Sequence, residues 1–143
     1  MQTTPFAPVI WNMDAIDPVA NGHRVLVVDD EPQVVWVLEL ALGSEGYEVC
    51  TARNGVEAMA QISAMHPELM VLDVMMPRMD GWSVMRELAK LPVDERPRVV
   101  MVTALASGHD RVTATELGVD AYVPKPFDMD ELLGVIHGLQ KAS

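Results

Sequence analysis

The stretch LMVLDVMMPRMDG, residues 69–81, begins with four aliphatic side chains, reaches a carboxylate at Asp73 and continues into a loop containing Pro77 and Gly81. An earlier stretch, VLVVDD at residues 25–30, has the same design. Continuous aliphatic runs of this length are typical of strands that are buried on both faces of a parallel sheet. Two such strands would bring their terminal acids together at one edge, where clustered negative charge is costly unless a cation shares it.

The same strand-like pattern recurs along the chain and alternates with helix-like segments that each carry one apolar stripe. The predicted strands are 24–28, 47–52, 69–72, 98–102 and 120–123. The predicted helices are 33–44, 55–65, 81–90, 107–117 and 129–140, with caps at Asn54, Asp80 and Asp128. Five strand–helix units with right-handed crossovers predict a doubly wound α/β fold, a parallel sheet with helices on both faces.

The predicted domain covers residues 23–141. Residues 1–22 contain three prolines and no Lys or Arg, and we expect them to form a mostly irregular N-terminal arm.

The helix predicted at 107–117 has a thin apolar stripe of Val112, Ala114 and Leu117, which predicts low local stability.

The chain is acidic, with 10 Lys and Arg against 21 Asp and Glu and a formal net charge of −11. This balance argues against direct binding to nucleic acid and to anionic membrane surfaces, because both need a basic footprint. Cys50 is the only cysteine, so no intrachain disulfide can form. The sequence shows no secretory signal and no apolar run long enough to span a bilayer. We therefore expect a cytoplasmic protein.

In open α/β sheets, the site lies outside the carboxyl ends of the strands. Six residues of this chain follow or end predicted strands at that edge: Asp29, Asp30, Asp73, Thr103, Ala104 and Lys125. Clustered carboxylates call for a hard cation, and Mg²⁺ prefers oxygen ligands. A carboxylate can also act as a nucleophile that accepts a phosphoryl group, and that chemistry needs a metal and a cation to offset the developing charge.

These residue types assign a possible role to each position. Asp73 is the candidate nucleophile, Asp30 holds Mg²⁺, and Lys125 faces the phosphoryl oxygens. The hydroxyl of Thr103 can donate to a phosphoryl oxygen, and the small side chain of Ala104 leaves room for the group to enter.

Five segments together resemble the receiver domain of a two-component response regulator. They are VLVVDDEP at 25–32, ARNGVEA at 52–58, LDVMMPRMDG at 72–81, VTA at 102–104 and GVDAYVPKPF at 118–127. The resemblance covers about residues 23–141 and is specific because all five segments occur in order. It implies a flavodoxin-like, five-stranded parallel sheet in the order 2-1-3-4-5.

The resemblance also implies functional roles. Asp73 would be the phosphoacceptor for a sensor histidine kinase or a phosphotransfer protein. Asp30 would bind Mg²⁺ directly and Asp29 through water, with the backbone carbonyl of Met75 as a further ligand. Lys125 would hold the phosphoryl group, and its peptide bond to Pro126 would be cis.

Thr103 and Tyr122 would form a coupled switch pair that responds to phosphorylation. Thr103 would move toward the phosphate and Tyr122 would turn inward, which would reshape the surface of the fourth helix, fifth strand and fifth helix. In the family that the chain resembles, side chains two residues after the phosphoacceptor and two after the switch threonine flank the phosphoryl group, and polar ones can help to position an attacking water. The corresponding residues here, Met75 and Leu105, are apolar. This predicts a long-lived phosphorylated state.

Each of these residues also has an ordinary structural interpretation. Asp29 and Asp30 could cap a helix, Asp73 could be a turn residue, and Lys125 could be a solvated loop charge. Tyr122 could be a packed aromatic with a hydrated hydroxyl. All of these together would require independent coincidences at successive strand ends, so the functional interpretation is favoured.

Several outputs remain open. The first is a stand-alone switch, a monomer or weak dimer, that is read by contact with an unknown downstream protein. The alternative is a receiver fragment of a larger regulator, such as a transcription factor or a hybrid kinase. Winged-helix DNA-binding regulators with similar receivers usually carry acidic and basic pairs on the fourth and fifth helices, through which they dimerise. Here the predicted helix at 129–140 lacks Arg, and Ala121 stands where those regulators commonly have a second acid. Both departures weigh against a dimeric DNA-binding regulator.

Two further classes are disfavoured. An aspartyl-phosphate phosphatase would carry an acid in place of Met75 and an Asp-x-Asp motif in place of Asp29-Asp30. A receiver that works without phosphate would not need the complete set of acids, hydroxyl and ammonium. We expect a protein that is not an enzyme, apart from catalysing its own phosphorylation and dephosphorylation.

Overall fold

The computed structural model describes residues 23–105 and 107–141, so the predicted arm at 1–22 lies outside the described residues. Five parallel strands form one sheet in the order β2-β1-β3-β4-β5. The strands are β1 (Arg24–Val28), β2 (Glu48–Ala52), β3 (Leu69–Leu72), β4 (Arg98–Thr103) and β5 (Ala121–Pro124). The helices are α1 (Pro32–Ser44), α2 (Gly55–Met65), α3 (Gly81–Leu88), α4 (Gly108–Glu116) and α5 (Met129–Lys141). The predicted fold and strand order are therefore confirmed.

The central strands are buried on both faces, as their aliphatic runs predict. Side chains of β1 alternate between two cores, with Leu26 and Val28 in one and Val25 and Val27 in the other. Because successive strand residues point to opposite faces, one short strand contributes to both layers of the sandwich. This leaves the loops at the strand ends as the places where polar groups can gather.

The three predicted helix caps are present. Asn54 Oδ1 accepts a hydrogen bond from Glu57 N at 2.9 Å, and Asp80 Oδ1 accepts one from Ser83 N at 2.9 Å. Asp128 is bonded in the same way to the backbone at the start of α5. Each cap satisfies a backbone N–H that has no partner inside its helix.

The end of α3 differs from the prediction. The helix ends at Leu88 rather than at residue 90, and a 3₁₀ turn, Val93–Glu95, follows it. The guanidinium of Arg96 donates to the carbonyl of Leu91 at 2.9 Å and to that of Ala89 at 3.0 Å. These bonds satisfy carbonyls beyond the helix end, which a pattern of apolar residues cannot predict.

The helix α4 also differs from its predicted burial. Val112 is 56% exposed, and Ala114 is the buried residue of this helix. The stripe that supports α4 is therefore thinner than the sequence suggested. No helix of the described chain is long and apolar enough to cross a bilayer.

The last turns of α5 are tied to the corner between α1 and β2. Tyr47 Oη donates to Gln140 Oε1 at 2.6 Å and lies 3.0 Å from His137 Nδ1. On its other side, His137 Nε2 lies 3.0 Å from Glu45 Oε1. This network lies at the amino ends of the strands, opposite the edge formed by their carboxyl ends.

Candidate functional site

Three acids meet at the carboxyl ends of the central strands. Asp29 and Asp30 follow β1, and Asp73 follows β3, which lies beside β1. One carboxylate oxygen from each lies within 4.8 Å of those of the other two. Asp29 and Asp73 are buried, whereas Asp30 is exposed. The structure therefore brings together the three acids that the sequence placed at this edge.

The ammonium of Lys125 lies inside this acidic cluster. Its Nζ is 2.8 Å from Asp29 Oδ2 and 3.1 Å from Asp73 Oδ2. A third carboxylate, Glu31 Oε1, lies 2.6 Å from the same nitrogen. The Lys125–Pro126 peptide bond is cis, as the resemblance implied.

Burial and the ion pairs act in opposite directions on these charges. Burial alone would favour neutral Lys125, but its hydrogen bonds to Asp29, Glu31 and Asp73 outweigh that effect and raise its pKa. Burial also raises the pKa of Asp29, assisted by the charge of Asp73 and opposed by the hydrogen bonds from Lys125 and from Glu31 N. The positive charge of Lys125 thus offsets the repulsion among the clustered carboxylates.

The backbone orients the carboxylate of Asp73. Its Oδ1 accepts hydrogen bonds from Val74 N at 2.7 Å and from Met75 N at 3.4 Å. Its Oδ2 accepts the hydrogen bond from Lys125. One oxygen is therefore fixed by the following loop, and the other faces the ammonium.

That loop folds tightly against the strand end because of Gly81. Gly81 N donates to Val74 O at 2.9 Å, and a Cβ at position 81 would lie 2.4 Å from the carbonyl oxygen of Asp73. Any side chain would force the backbone of Asp73 to move. The sequence marked Gly81 as the start of a helix, but nothing in it announced this contact.

The fourth and fifth strands place the remaining predicted residues at the same edge. Thr103 ends β4 and is fully buried, and Ala104 follows it and is exposed. Lys125 N donates to Thr103 O at 2.8 Å, which fixes the two residues as neighbours. The hydroxyl of Thr103 accepts a hydrogen bond from Leu105 N at 3.3 Å.

Tyr122 lies on β5 and reaches toward the loop after β4. Its hydroxyl donates to the carbonyl oxygen of Leu105, and the guanidinium carbon of Arg111 in α4 lies 5.0 Å from the centre of its ring. Burial, with the charge of Asp110, raises the pKa of Tyr122. The backbone of Leu105 is therefore bonded both to Thr103 and to Tyr122.

Glu31 is the residue that sequence reasoning missed. It directly follows Asp30 and lies inside the segment VLVVDDEP at 25–32, but its residue type and position alone indicate no role. Its position next to the paired acids was the available signal. The sequence could not indicate that its side chain turns toward Lys125.

Comparison with known proteins gives a consistent result. The family model described as the response regulator receiver domain matches residues 25–137. A "Probable transcriptional regulator ycf27" from Cyanophora paradoxa is 46% identical over 119 residues, which are 83% of this chain and 48% of that protein. "Response regulator MprA" from Mycobacterium avium (strain 104) is 43% identical over 116 residues, covering 81% of this chain and 50% of that protein. This chain spans about half the length of the curated relatives that it matches.

Solved structures show the same similarity. A CheY-like response regulator receiver domain protein from Methanospirillum hungatei JF-1 is 30% identical with a TM-score of 0.79, and the match covers 85% of this chain and 95% of that one. The response regulator TrrA from Thermotoga maritima, in complex with Mg²⁺ and BeF, is 37% identical with a TM-score of 0.71 and coverages of 81% and 97%. The five ordered segments, the strand order and the matched family model agree, and the chain belongs to the response regulator receiver domain family.

Proposed function

We propose that this chain is a phosphorylation-controlled switch of a two-component system, in which Asp73 accepts a phosphoryl group from a sensor histidine kinase or a phosphotransfer protein. The observation that carries the proposal is the ammonium of Lys125, 3.1 Å from Asp73 Oδ2 within a cluster of acids. A cation at this distance can stabilise the negative charge on a phosphoryl group bound to the neighbouring oxygen.

In the transfer, a carboxylate oxygen of Asp73 forms a bond to phosphorus. The bond from phosphorus to the donor's histidine nitrogen breaks, and its electron pair stays on that nitrogen. The hydrogen bonds from Val74 N and Met75 N limit rotation of the carboxylate, which keeps the nucleophile oriented before the donor arrives. Hydrolysis then returns the chain to its resting state: water attacks phosphorus, and the bond from phosphorus to the Asp73 oxygen breaks with its electron pair left on the carboxylate.

The oxygen ligands of the acidic cluster fit Mg²⁺. This ion prefers oxygen ligands and keeps several waters, so few protein groups are needed. Asp30 and Asp73 would bind it directly, and the carbonyl of Met75 would be a further ligand. Asp29, whose Oδ2 pairs with Lys125, would act through water. When bound, the ion offsets the charge of the acids and of the phosphoryl oxygens.

Thr103 and Ala104 would complete the phosphate site. The hydroxyl of Thr103 would donate to a phosphoryl oxygen, and exposed Ala104 leaves the approach open. Moving the Thr103 hydroxyl disturbs its bond to Leu105 N, and Leu105 O holds the Tyr122 hydroxyl. Phosphorylation would therefore be transmitted to Tyr122, which turns further inward.

The output of this movement is a changed surface on α4, β5 and α5 that another protein reads. A second candidate is that the chain serves as the receiver part of a larger transcriptional regulator. The observation in its favour is that relatives about twice as long carry the description "transcriptional regulator". In that case another region of the regulator would contact nucleic acid, since this chain carries a net charge of −11.

Incubation with acetyl phosphate and Mg²⁺, followed by intact-mass measurement, tests the function. We expect the gain of one phosphoryl group, which is lost in Asp73→Asn and when EDTA is present. Asp94→Asn is the matched control, because Asp94 is an exposed acid on the 3₁₀ turn. No mass gain in the wild type, or a gain that survives Asp73→Asn, would contradict the proposal.

A pull-down tests whether the phosphorylated state is read by contact with another protein. The chain is used as bait with and without beryllofluoride and Mg²⁺, in the wild type and in Asp73→Asn. A partner captured only by beryllofluoride-treated wild type supports a switch that is read by protein contact. The same comparison of oligomeric state, measured by light scattering, shows whether a second copy is that partner.

A further inference from the structure

Glu31 is a third partner of the Lys125 ammonium. Its Oε1 lies 2.6 Å from Nζ, closer than Asp29 at 2.8 Å or Asp73 at 3.1 Å. A lysine ammonium has three N–H donors, so these three carboxylates match its full capacity. A phosphoryl oxygen that needs Lys125 must therefore replace one of them.

The three partners differ in how much water reaches them. The side chains of Asp29 and Asp73 are 4% and 6% exposed, whereas that of Glu31 is 56% exposed. Leaving a buried carboxylate without its cation is strongly unfavourable. An exposed carboxylate loses little when its ion pair breaks, because water takes the place of the ammonium. Glu31 is the partner that can leave most easily.

The backbone of Glu31 is fixed while its side chain is not needed for the helix. Glu31 N donates to Asp29 Oδ1 at 3.0 Å, and Glu31 O accepts from Val34 N at 3.1 Å. It is the N-cap of α1, but its side chain makes no capping hydrogen bond, and Pro32 follows it. The side chain can therefore exchange partners without disturbing α1.

We propose that Glu31 is a positioning residue that occupies Lys125 in the resting protein and gives up that position to a phosphoryl oxygen when Asp73 is phosphorylated. This inference rests on the proposed function. With acetyl phosphate as donor, the bond from Asp73 to phosphorus forms, and the bond from phosphorus to the acetate oxygen breaks and leaves its electron pair on acetate. Glu31 exchanges its ion pair for water and undergoes no covalent change.

Competition of this kind slows the reaction, because the ion pair with Glu31 must break first. Exposed pairs of this type contribute modestly, so Glu31→Gln should raise the initial rate of phosphorylation about two- to fivefold at saturating Mg²⁺. Damage to the fold would lower the rate, so a gain cannot be explained by damage to the fold. Glu39→Gln is the matched control, since Glu39 is an exposed acid on the same helix and the change of charge is identical.

The background Lys125→Gln separates competition from simple repulsion of the anionic donor. If Glu31 acts through Lys125, adding Glu31→Gln in that background gives no gain, with the slower reaction followed by intact mass over hours. If Glu31 repels the donor directly, the same gain appears in both backgrounds and the inference is overturned.

The remaining outcomes are equally definite. A wild type that is modified at Asp73, with Glu31→Gln no faster than wild type or no faster than Glu39→Gln, overturns the role of Glu31 and leaves the proposed function intact. A wild type that is not modified at all overturns both.

Discussion

Gly81 lies against the backbone of Asp73, so that a Cβ at position 81 would be 2.4 Å from the Asp73 carbonyl oxygen and 2.8 Å from Val74 Cα. The first residue of α3 and the candidate phosphoacceptor are thus packed backbone to backbone. The geometry of the candidate nucleophile therefore depends on a residue that has no proposed chemical role.

Gly81→Ala should reduce both stability and phosphorylation, because the new methyl group forces the backbone at Asp73 to shift. Overpacking of this kind costs about 1–3 kcal/mol, which urea unfolding measures. Gly134→Ala is the control, since Gly134 is an exposed α5 residue with nothing within 4 Å of an added Cβ. That control should gain up to about 1 kcal/mol. Equal stability of Gly81→Ala and wild type would contradict the packing argument.

The apolar residue at Met75 should prolong the life of the phosphorylated protein. Met75 is 61% exposed and lies two residues after Asp73, where it can shield the acyl phosphate without positioning a water. Met75→Asn should therefore shorten the lifetime about threefold or more, corresponding to a barrier lowered by ~0.7 kcal/mol. Decay after removal of acetyl phosphate is followed by intact mass. Val93→Asn, at a distant position that is 75% exposed, serves as control; a wild type that decays as fast as Met75→Asn speaks against shielding.

Tyr122→Phe should separate phosphorylation from its output. The substitution removes the hydroxyl that donates to Leu105 O, and loss of such a bond costs about 0.5–1.5 kcal/mol of stability. The phosphorylation rate should change little, because Tyr122 does not contact Asp73 in the proposed site. The output is measured by NMR, as the change in the backbone amide chemical shifts of α4 when beryllofluoride is added. We expect this change to be smaller in Tyr122→Phe than in the wild type. Unchanged α4 shifts would exclude Tyr122 from the switch.

Cys50 should be a poor nucleophile in the folded protein. Burial raises the pKa of its thiol, and Glu48 adds to that effect while Arg24 opposes it. Only the thiolate reacts, so Ellman's reagent at pH 8 should label native protein far more slowly than protein unfolded in urea. Between the ordinary thiol pKa and the raised one, the folded state holds more protons than the unfolded state, and stability should therefore fall as pH rises through that window. Equal labelling rates in both states would disprove this description of Cys50.

The strands of the sheet could be predicted from the sequence because burial on both faces restricts which residues a strand can contain. Strands buried on both faces must be aliphatic, and their ends are visible where the first carboxylate appears, as at Leu72 and Asp73. The order of the strands came from family resemblance, since periodicity alone does not say which strands are neighbours. The gathering of Asp29, Asp73 and Lys125 followed from that order.

Two of the differences between the predicted and the observed structure originate in long charged side chains, and the exposure of Val112 is a third difference with another origin. The Arg96 guanidinium holds carbonyls beyond α3, and Glu31 turns across the edge of the sheet to Lys125. Val112 stays exposed although its spacing suggested burial. A pattern of apolar residues records which face is buried, but it does not record where a flexible charged group goes.

The bonds of α5 at Glu45 and Tyr47 determine how that helix can respond. His137 and Gln140 hold its last turns, whereas its first turn follows the Lys125–Pro126 segment by only a few residues. A displacement of this segment would act on the first turn of a helix whose last turns are held by hydrogen bonds. We therefore expect α5 to tilt about its last turns if phosphorylation displaces this segment, with the displacement greatest near Met129 and smallest near Lys141.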